Sequence, residues 1–243
     1  AANAALLGAA KAPYFLDYLA AQPAPVPAPD GGAPVVMTPL NLELQQAAET
    51  ALQAGTDRVR AVLRGKYPDE PADSFQAAFV VLDAASGEIL AMAGGLDYTA
   101  SAFNRAASAR RQAGSVIKPF VFARLLDLAR RPAGPALTAA SVVVDRPCTI
   151  RYGGRAYRPH NYRNQYHGPV TMKTALAKSL NAATVLFAQQ GGFPEAADAV
   201  NRLGFSGRAV PYPSTALGTV DVSPLEVAAA YTVFLNGGRR RPP

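Results

Sequence analysis

The sequence contains a serine and a lysine at a spacing that suits nucleophilic catalysis. Gly114 and Ser115 are followed by Lys118, three residues after the serine. Because three residues are nearly one turn of an α-helix, the Lys118 ammonium is carried on the same face as the Ser115 hydroxyl and can reach it. A serine becomes a good nucleophile when an adjacent base takes its proton, and a lysine can be that base when burial or positive charge keeps it neutral. The pattern indicates an activated nucleophile, although one Ser-x-x-Lys is also expected by chance in a chain of this length.

A helix is predicted to carry both side chains. Apolar residues recur after Ser115 at helical spacing, at Ile117, Val121, Leu125 and Leu128. Ser115 is therefore expected at the start of this helix. The first backbone N–H groups of a helix point toward any oxyanion that forms beside them.

A second polar triplet, from Ser179 to Asn181, interrupts another predicted helix. Thr171 is a suitable N-cap for the residues before the triplet, and residues 182–190 resume helical character after it. Serine and asparagine side chains compete for backbone hydrogen bonds, so they are expected to break the helix here. Alone, such a triplet is typical of a helix cap; its interest lies in its combination with the Ser-x-x-Lys pattern.

The composition of the chain is typical of a globular protein. Of 243 residues, 49% are hydrophobic and 17% are charged. The net charge is +7, but the basic residues are scattered, so no nucleic-acid partner is expected. Cys148 is the only cysteine, and His160 and His167 are the only histidines, which gives little support for a metal site. No apolar run is long enough to span a membrane, and the absence of an initiator methionine indicates a start inside a longer protein.

Residues 1–72 have the character of a lead-in rather than of a self-sufficient domain. The sequence predicts a short helix over 11–21, a proline-rich linker over 22–34 and a short strand at 35–38. Asn41 is a suitable N-cap for the longer helix that follows.

The remainder of the chain is predicted to mix helices with an antiparallel sheet. Apolar runs at 77–82 and 89–93 flank a Ser-Gly turn, which predicts a hairpin, and their lack of alternation predicts strands covered on both faces. In the polar middle of the chain we predict only a short strand at 142–144. Residues 158–168 are interpreted either as an ordered surface loop or as one wall of a peptide cleft. Ser223 begins the last helix with a capping box.

The two polar patterns together resemble those of penicillin-binding proteins. Ser-x-x-Lys and a Ser-x-Asn triplet belong to the motif set that these proteins share with class A β-lactamases. Further segments, in the same order, are similar to the transpeptidase region of a class A (bifunctional) penicillin-binding protein: KAPYFLDYL, MTPLNLELQQAAETAL, AAFVVLDAASGEILAMAGG, RRQAGSVIKPF, GPVTMKTALAKSLNAATV and ALGTVDVSPLEVAAAYTVFLNGG. The resemblance extends over residues 11–238, nearly the whole chain.

The resemblance implies a mixed α+β fold of the β-lactamase and transpeptidase type, with a helical subdomain and an antiparallel sheet that is incomplete in this chain. Residues 1–72 are then a linker that follows a glycosyltransferase domain outside the sequence, and residues 73–243 are a partial penicillin-binding transpeptidase domain. The third motif of the family, Lys-Thr-Gly, does not occur in the 243 residues, and the nearest string, at 173–175, lies on the helix before Ser179. We therefore expect the sequence to stop before the Lys-Thr-Gly strand.

The same resemblance implies a role for each polar residue. Ser115 would be the acylated nucleophile, and Lys118 the base that takes its proton. Ser179 would relay a proton toward the leaving D-alanine amine, and Asn181 would hydrogen-bond the substrate peptide and help to orient Lys118. The implied reaction is peptidoglycan DD-transpeptidation, in which an acyl-serine is resolved by the amine of a neighbouring stem peptide. No metal or organic cofactor is implied.

The implied partners are peptidoglycan stem peptides ending in D-Ala-D-Ala, β-lactam antibiotics and other cell-wall synthesis proteins. No nucleic acid is implied, and membrane contact is implied only through an N-terminal anchor outside the sequence. The implied location is extracytoplasmic, at the periplasmic face of the bacterial inner membrane. Without Lys-Thr-Gly, the 243 residues alone are expected to be inactive. Two alternatives stay open: a serine hydrolase on the same scaffold, either a DD-carboxypeptidase or a β-lactamase, and a non-catalytic binding or scaffold remnant.

Overall fold

The computed structural model describes residues 11–23, 36–68, 71 and 75–243. Most of the predicted proline-rich linker lies outside the described residues. The strand predicted at 35–38 is wrong for its described part, since residues 36–38 have no regular structure.

The structure combines helices with short antiparallel strands. The helices, in chain order, are α1 (Pro13–Ala20), α2 (Leu42–Lys66), α3 (Lys118–Ala129), α4 (Met172–Ala177), α5 (Asn181–Gly191), α6 (Phe193–Asn201) and α7 (Pro224–Tyr231). The strands are β1 (Phe79–Leu82), β2 (Ile89–Ala93), β3 (Arg111–Gln112), β4 (Val142–Asp145), β5 (Ile150–Tyr152), β6 (Arg155–Tyr157), β7 (Gly168–Thr171) and β8 (Asp221–Val222). They pair two by two and antiparallel, as β1–β2, β3–β8, β4–β7 and β5–β6. The prediction of a mixed helix and sheet fold is confirmed.

The chain divides into two compact units. The first contains the described residues of Ala1–Ala109 together with Ser223–Pro243, and the second is Arg110–Val222. Among the described residues, no helix combines the length and the apolar character that crossing a membrane requires.

The first unit is built on the predicted β1–β2 hairpin. Helices α1, α2 and α7 contact its strands, and the buried side chains of Phe15, Ile89, Met92 and Leu225 form a common core. The hairpin prediction is confirmed, but coverage on both faces holds only for β2, which is almost wholly buried. Strand β1 is half-buried and leaves Phe79 exposed, so the prediction of coverage on both faces is wrong for β1.

The second unit is organised around α5. This helix contacts α3, α4, α6 and β4, and six of its eleven residues are buried. Small alanines at 182, 183 and 188 are fully buried and let the neighbouring elements pack closely against it. Its first residue is Asn181, so this central helix begins within the predicted second motif.

Arg124 joins α3 to α6 in the same unit. Its guanidinium lies 2.6 Å from a Glu195 carboxylate oxygen, 3.3 Å from Asp198 and 3.1 Å from Asp127. The arginine side chain is only 12% exposed, so these carboxylates replace most of its water. The contact fixes the helix that begins at Lys118 to its neighbour.

The middle of the chain contains more regular structure than the sequence pattern predicts. The strand expected at 142–144 is confirmed as β4, which pairs with β7. The β5–β6 hairpin was not predicted, because its strands have three residues each and show almost no hydrophobic alternation.

Candidate active site

Ser115 lies in a 3-10 turn, Gly114–Ile117, and α3 begins immediately afterwards at Lys118. Ser115 therefore lies at the start of this helix, as predicted, but within the 3-10 turn that precedes the α-helix. Ser115 is exposed, whereas Ile117 in the next half-turn is fully buried. The turn thus buries Ile117 and leaves Ser115 accessible to solvent.

Backbone contacts with a distant segment hold the nucleophile turn. Ala113 N–H donates to the Val220 carbonyl and Gly114 N–H to the Gly218 carbonyl, each at 2.8 Å, next to the β3–β8 pair. Gly218 has a φ of 84°, and a Cβ on it would lie 2.0 Å from the Gly114 oxygen. Only glycine permits this approach. Sequence analysis missed the role of Gly218, although it lies in one of the segments that carry the resemblance.

Lys118 is the largest fully buried side chain of the described structure, with 1% of its surface exposed. Its Nζ donates to the backbone carbonyl of Ser179 at 2.8 Å, to the Ser179 hydroxyl at 3.0 Å and to Asn181 Oδ1 at 2.7 Å. Burial lowers the pKa of the Lys118 ammonium from its usual 10.5 to about 8. A lysine of this pKa supplies a neutral amine near physiological pH.

The three contacts of Lys118 suit the neutral amine as well as the ammonium. A neutral amine has two N–H donors and one lone pair. The Ser179 carbonyl and Asn181 Oδ1 can only accept, so they take the two donors, and the Ser179 hydroxyl can donate to the lone pair. The arrangement therefore allows a proton to pass between Lys118 and Ser179.

Ser179 forms the break between α4 and α5. Thr171 caps α4 as predicted, with its hydroxyl accepting from the Thr174 N–H. The helix stops where Ser179 adopts a φ of 53°, a left-handed conformation that costs an L-residue about 1–2 kcal/mol. Ser179 is exposed, and α5 starts two residues later. The predicted interruption of the helix is confirmed.

Asn181 is held at both ends of its amide. Oδ1 accepts from Lys118 Nζ at 2.7 Å, while Nδ2 donates to the backbone carbonyl of His160 at 2.7 Å. Because a carbonyl only accepts and an ammonium only donates, the two contacts select one orientation of the amide. This orientation turns the Asn181 oxygen toward the lysine.

The segment 158–168 contacts the second motif. Asn161 Oδ1 accepts from the Ala182 N–H at 3.0 Å, and Asn161 Nδ2 donates to both carboxylate oxygens of Asp145, at 2.9 and 3.0 Å. Most side chains of the segment are exposed, but Asn161 and Asp145 are buried. The segment is thus an ordered surface loop, as the first interpretation expected, and it also contacts the second motif. Its role as a wall of a peptide cleft stays a prediction.

A small cleft of about 330 Å³ lies beside this loop. Cys148, Arg158, His160 and Tyr166 are among its lining residues. Cys148 is half-buried, and burial raises the pKa of its thiol. The thiol therefore stays protonated at neutral pH and is a poor nucleophile.

The structure brings three of the four predicted site residues into direct contact. Lys118, Ser179 and Asn181 share one hydrogen-bonded cluster, whereas Ser115 is joined to Lys118 only through the backbone, where the Lys118 N–H donates to the Ser115 carbonyl. Within the part of the chain that the structure describes, no group of three or more His, Cys, Asp or Glu side chains is placed to hold a metal ion.

Known proteins share both the sequence and the fold of this chain. Residues 77–243 match the family described as "Penicillin binding protein transpeptidase domain". The chain is 35% identical to penicillin-binding protein 1A of Neisseria meningitidis in an alignment of 221 residues that covers 86% of this chain and 27% of that protein. The chain thus spans about a quarter of the length of the curated relatives it matches.

Two solved structures support the same fold. Penicillin-Binding Protein 1A from Haemophilus influenzae is similar with a TM-score of 0.58 and 35% identity, over 65% of this chain and 23% of that chain. The PonA1 protein from Mycobacterium tuberculosis, solved in complex with penicillin V, is similar with a TM-score of 0.64 and 23% identity, over 86% of this chain and 53% of that chain. The predicted transpeptidase-type fold is confirmed by these similarities.

Proposed function

Because the chain belongs to the penicillin-binding protein transpeptidase domain family, we propose that it carries the acylation site of a peptidoglycan DD-transpeptidase, with Ser115 as nucleophile. The observation that carries the proposal is Lys118, a buried lysine whose pKa is lowered to about 8 beside Ser179 and Asn181. Structural lysines are normally exposed and charged. A lysine whose lowered pKa makes the neutral amine accessible, three residues after a surface serine, is suited to take a proton from that serine.

The proposed reaction balances its protons within this cluster. Ser115 Oγ attacks the carbonyl between two D-alanines, and its proton passes to Lys118 Nζ. The C–N bond breaks, and the leaving amine receives a proton from Lys118 through the Ser179 hydroxyl. Asn181 holds Lys118 and donates to the substrate peptide. The amine of a neighbouring stem peptide then attacks the acyl-serine carbonyl and gives a proton to Lys118. The bond between the carbonyl carbon and Ser115 Oγ breaks, and Lys118 returns the proton to Ser115 Oγ.

The same proposal defines partners, location and domain limits. Stem peptides ending in D-Ala-D-Ala and β-lactams are the proposed ligands, cell-wall synthesis proteins are the proposed partners, and the proposed location is the periplasmic face of a bacterial inner membrane. Residues 73–243 are proposed as part of the transpeptidase domain and residues 1–72 as its linker.

The 243 residues contain no Lys-Thr-Gly. We infer that these residues expressed alone acylate weakly or not at all.

The test is labelling of the full-length protein with fluorescent penicillin, followed by mass spectrometry of the labelled peptide. We expect one adduct on Ser115 that Ser115→Ala abolishes and that Ser108→Ala, a matched exposed serine, leaves intact. An adduct elsewhere, or unchanged labelling of Ser115→Ala, contradicts the proposal. Persistent labelling supports a transpeptidase, and rapid release of penicilloate supports a hydrolase on the same scaffold.

A further inference from the structure

We propose that Asn161 and Asp145 are positioning residues that fix the start of α5 and thereby aim Asn181 at Lys118. The inference rests on the proposed function, since Asn181 and Lys118 act in that reaction. It assigns a task to two buried polar side chains that touch neither Ser115 nor Lys118. Asn161 has 6% of its surface exposed and Asp145 has 1%.

Helix α5 has no cap within its own segment. Leu180 occupies the N-cap position, and its side chain cannot accept a hydrogen bond. The N–H of Ala182, in the first turn, is instead accepted by Asn161 Oδ1 at 3.0 Å. Since the first N–H groups of a helix have no partner inside the helix, Asn161 provides from a separate loop the contact that a cap normally provides.

The Asn161 amide can accept from Ala182 in only one orientation. Its Nδ2 donates to both oxygens of Asp145, at 2.9 and 3.0 Å, and to the Gln165 carbonyl at 2.9 Å. A flipped amide would place its oxygen against these three acceptors. Asp145 therefore selects the orientation that leaves the Asn161 oxygen free for the helix.

Asp145 is itself held by the end of the same loop. It is the last residue of β4, and its Oδ2 accepts from the His167 N–H at 2.9 Å and lies 3.3 Å from His167 Nδ1. Together with the two contacts from Asn161, these contacts give the buried Asp145 carboxylate the hydrogen bonds that a buried charge requires. The carboxylate thus ties both ends of the loop to β4.

Asn161 reaches Asn181 through the neighbouring residue. The backbone carbonyl of His160 accepts from Asn181 Nδ2 at 2.7 Å, which turns Asn181 Oδ1 toward Lys118 Nζ. Because His160 directly precedes Asn161, a loop released at Asn161 also releases this carbonyl. Two adjacent loop residues thus hold two adjacent residues of α5, and the loop sets the geometry of the second motif.

The test compares four variants in the full-length protein: Asn161→Ala, Asn161→Asp, Asp145→Asn and the exchanged pair Asp145→Asn with Asn161→Asp. In the exchanged pair, an asparagine at 145 can donate to an aspartate at 161, whose second oxygen still accepts from Ala182. Gln165→Ala is the matched control, because it removes an exposed amide from the same loop. Acylation rate and non-covalent penicillin affinity are measured separately, well below each variant's melting temperature.

We expect the single variants to acylate roughly tenfold to hundredfold more slowly, which corresponds to the loss of one buried hydrogen bond. Their non-covalent affinity should change less than about threefold, because Asn161 and Asp145 do not touch Ser115. The exchanged pair should recover at least about half of the acylation rate that the single variants lose, compared on a logarithmic scale. Lower melting temperatures with unchanged acylation, or an exchanged pair that merely sums the two single defects, would overturn the inference.

Hydrogen exchange keeps the inference testable if the protein does not react with penicillin. Peptides that include Ala182 should exchange roughly tenfold faster in Asn161→Ala than in Gln165→Ala, because the Ala182 N–H loses its acceptor. Equal exchange in the two variants would refute the positioning role. Absence of labelling on Ser115 in the unchanged protein would refute only the proposed function.

Discussion

Lys118 should give penicillin acylation a steep dependence on pH. Burial lowers the pKa of its ammonium from 10.5 to about 8. At pH 7 about one molecule in ten then carries the neutral amine, against about one in three thousand for an ordinary lysine. Since only the neutral amine can take the Ser115 proton, the acylation rate should rise about tenfold per pH unit below pH 8 and level off above it.

The assay measures the rate constant of Ser115 acylation by fluorescent penicillin between about pH 6 and pH 9.5 in the full-length protein. Lys118→Arg keeps a positive charge but has no usable neutral form, so we expect its rate to be about 10²–10⁴-fold lower and flat with pH. Lys173→Ala removes an exposed lysine from the helix before Ser179 and serves as the matched control. Thermal unfolding at each pH separates loss of the base from loss of the fold.

A flat profile in the unchanged protein would refute the assignment of Lys118 as base. Retention of more than about a tenth of the rate in Lys118→Arg would refute it as well, since an arginine is protonated throughout this range. A midpoint near pH 10 would agree with a lysine acting as the base, but it would show that burial does not lower the pKa of that lysine. A midpoint near pH 8 that disappears in Lys118→Arg is the expected result.

Substitutions at two further positions test the supports of the site. Ser179→Gly should have a free energy of unfolding about 1 kcal/mol higher than Ser179→Ala, because both lose the hydroxyl that contacts Lys118 but only glycine adopts a φ of 53° without strain. Both variants should acylate more slowly, and equal stability of the two would contradict the strain. Arg124→Ala should lower the free energy of unfolding by about 2 kcal/mol in chemical denaturation, because two helices lose their shared ion pairs. Arg124→Lys should restore less than half of this loss, since one ammonium cannot meet the carboxylates as a guanidinium fork does; full restoration would show that charge alone matters.

Helix boundaries in this chain could be predicted because their signals lie within four residues of each other. Asn41 accepts from the Leu44 N–H at the start of α2, as its position indicates. Ser223 and Glu226 form the predicted capping box, with hydrogen bonds in both directions. In each case both partners belong to one helical turn, so the sequence spacing already fixes their geometry.

Contacts between distant segments could not be predicted in the same way. The pairing of Gly114 with Gly218 and the contact of Asp145 with Asn161 depend on tertiary structure that no local period encodes. The polar loop at 158–168 has no apolar pattern from which its partner could be inferred. Four candidate site residues could be named from their motifs, but Asn161 and Asp145 could not, because a polar residue in a polar loop and an aspartate at the end of a strand are both normally exposed.

The break at Ser179 explains how a lysine can be buried at this point. In a continuous helix through residues 178–183, the Ser179 carbonyl would accept from the backbone N–H four residues later. The left-handed turn at Ser179 ends α4 and leaves this carbonyl to accept from Lys118 Nζ at 2.8 Å instead. The same turn starts α5 at Asn181, whose side chain supplies a second acceptor at 2.7 Å. The burial of the amine therefore depends on the strained residue. Without the break, Lys118 would lose two of its acceptors, and a buried amine without acceptors carries a large desolvation cost.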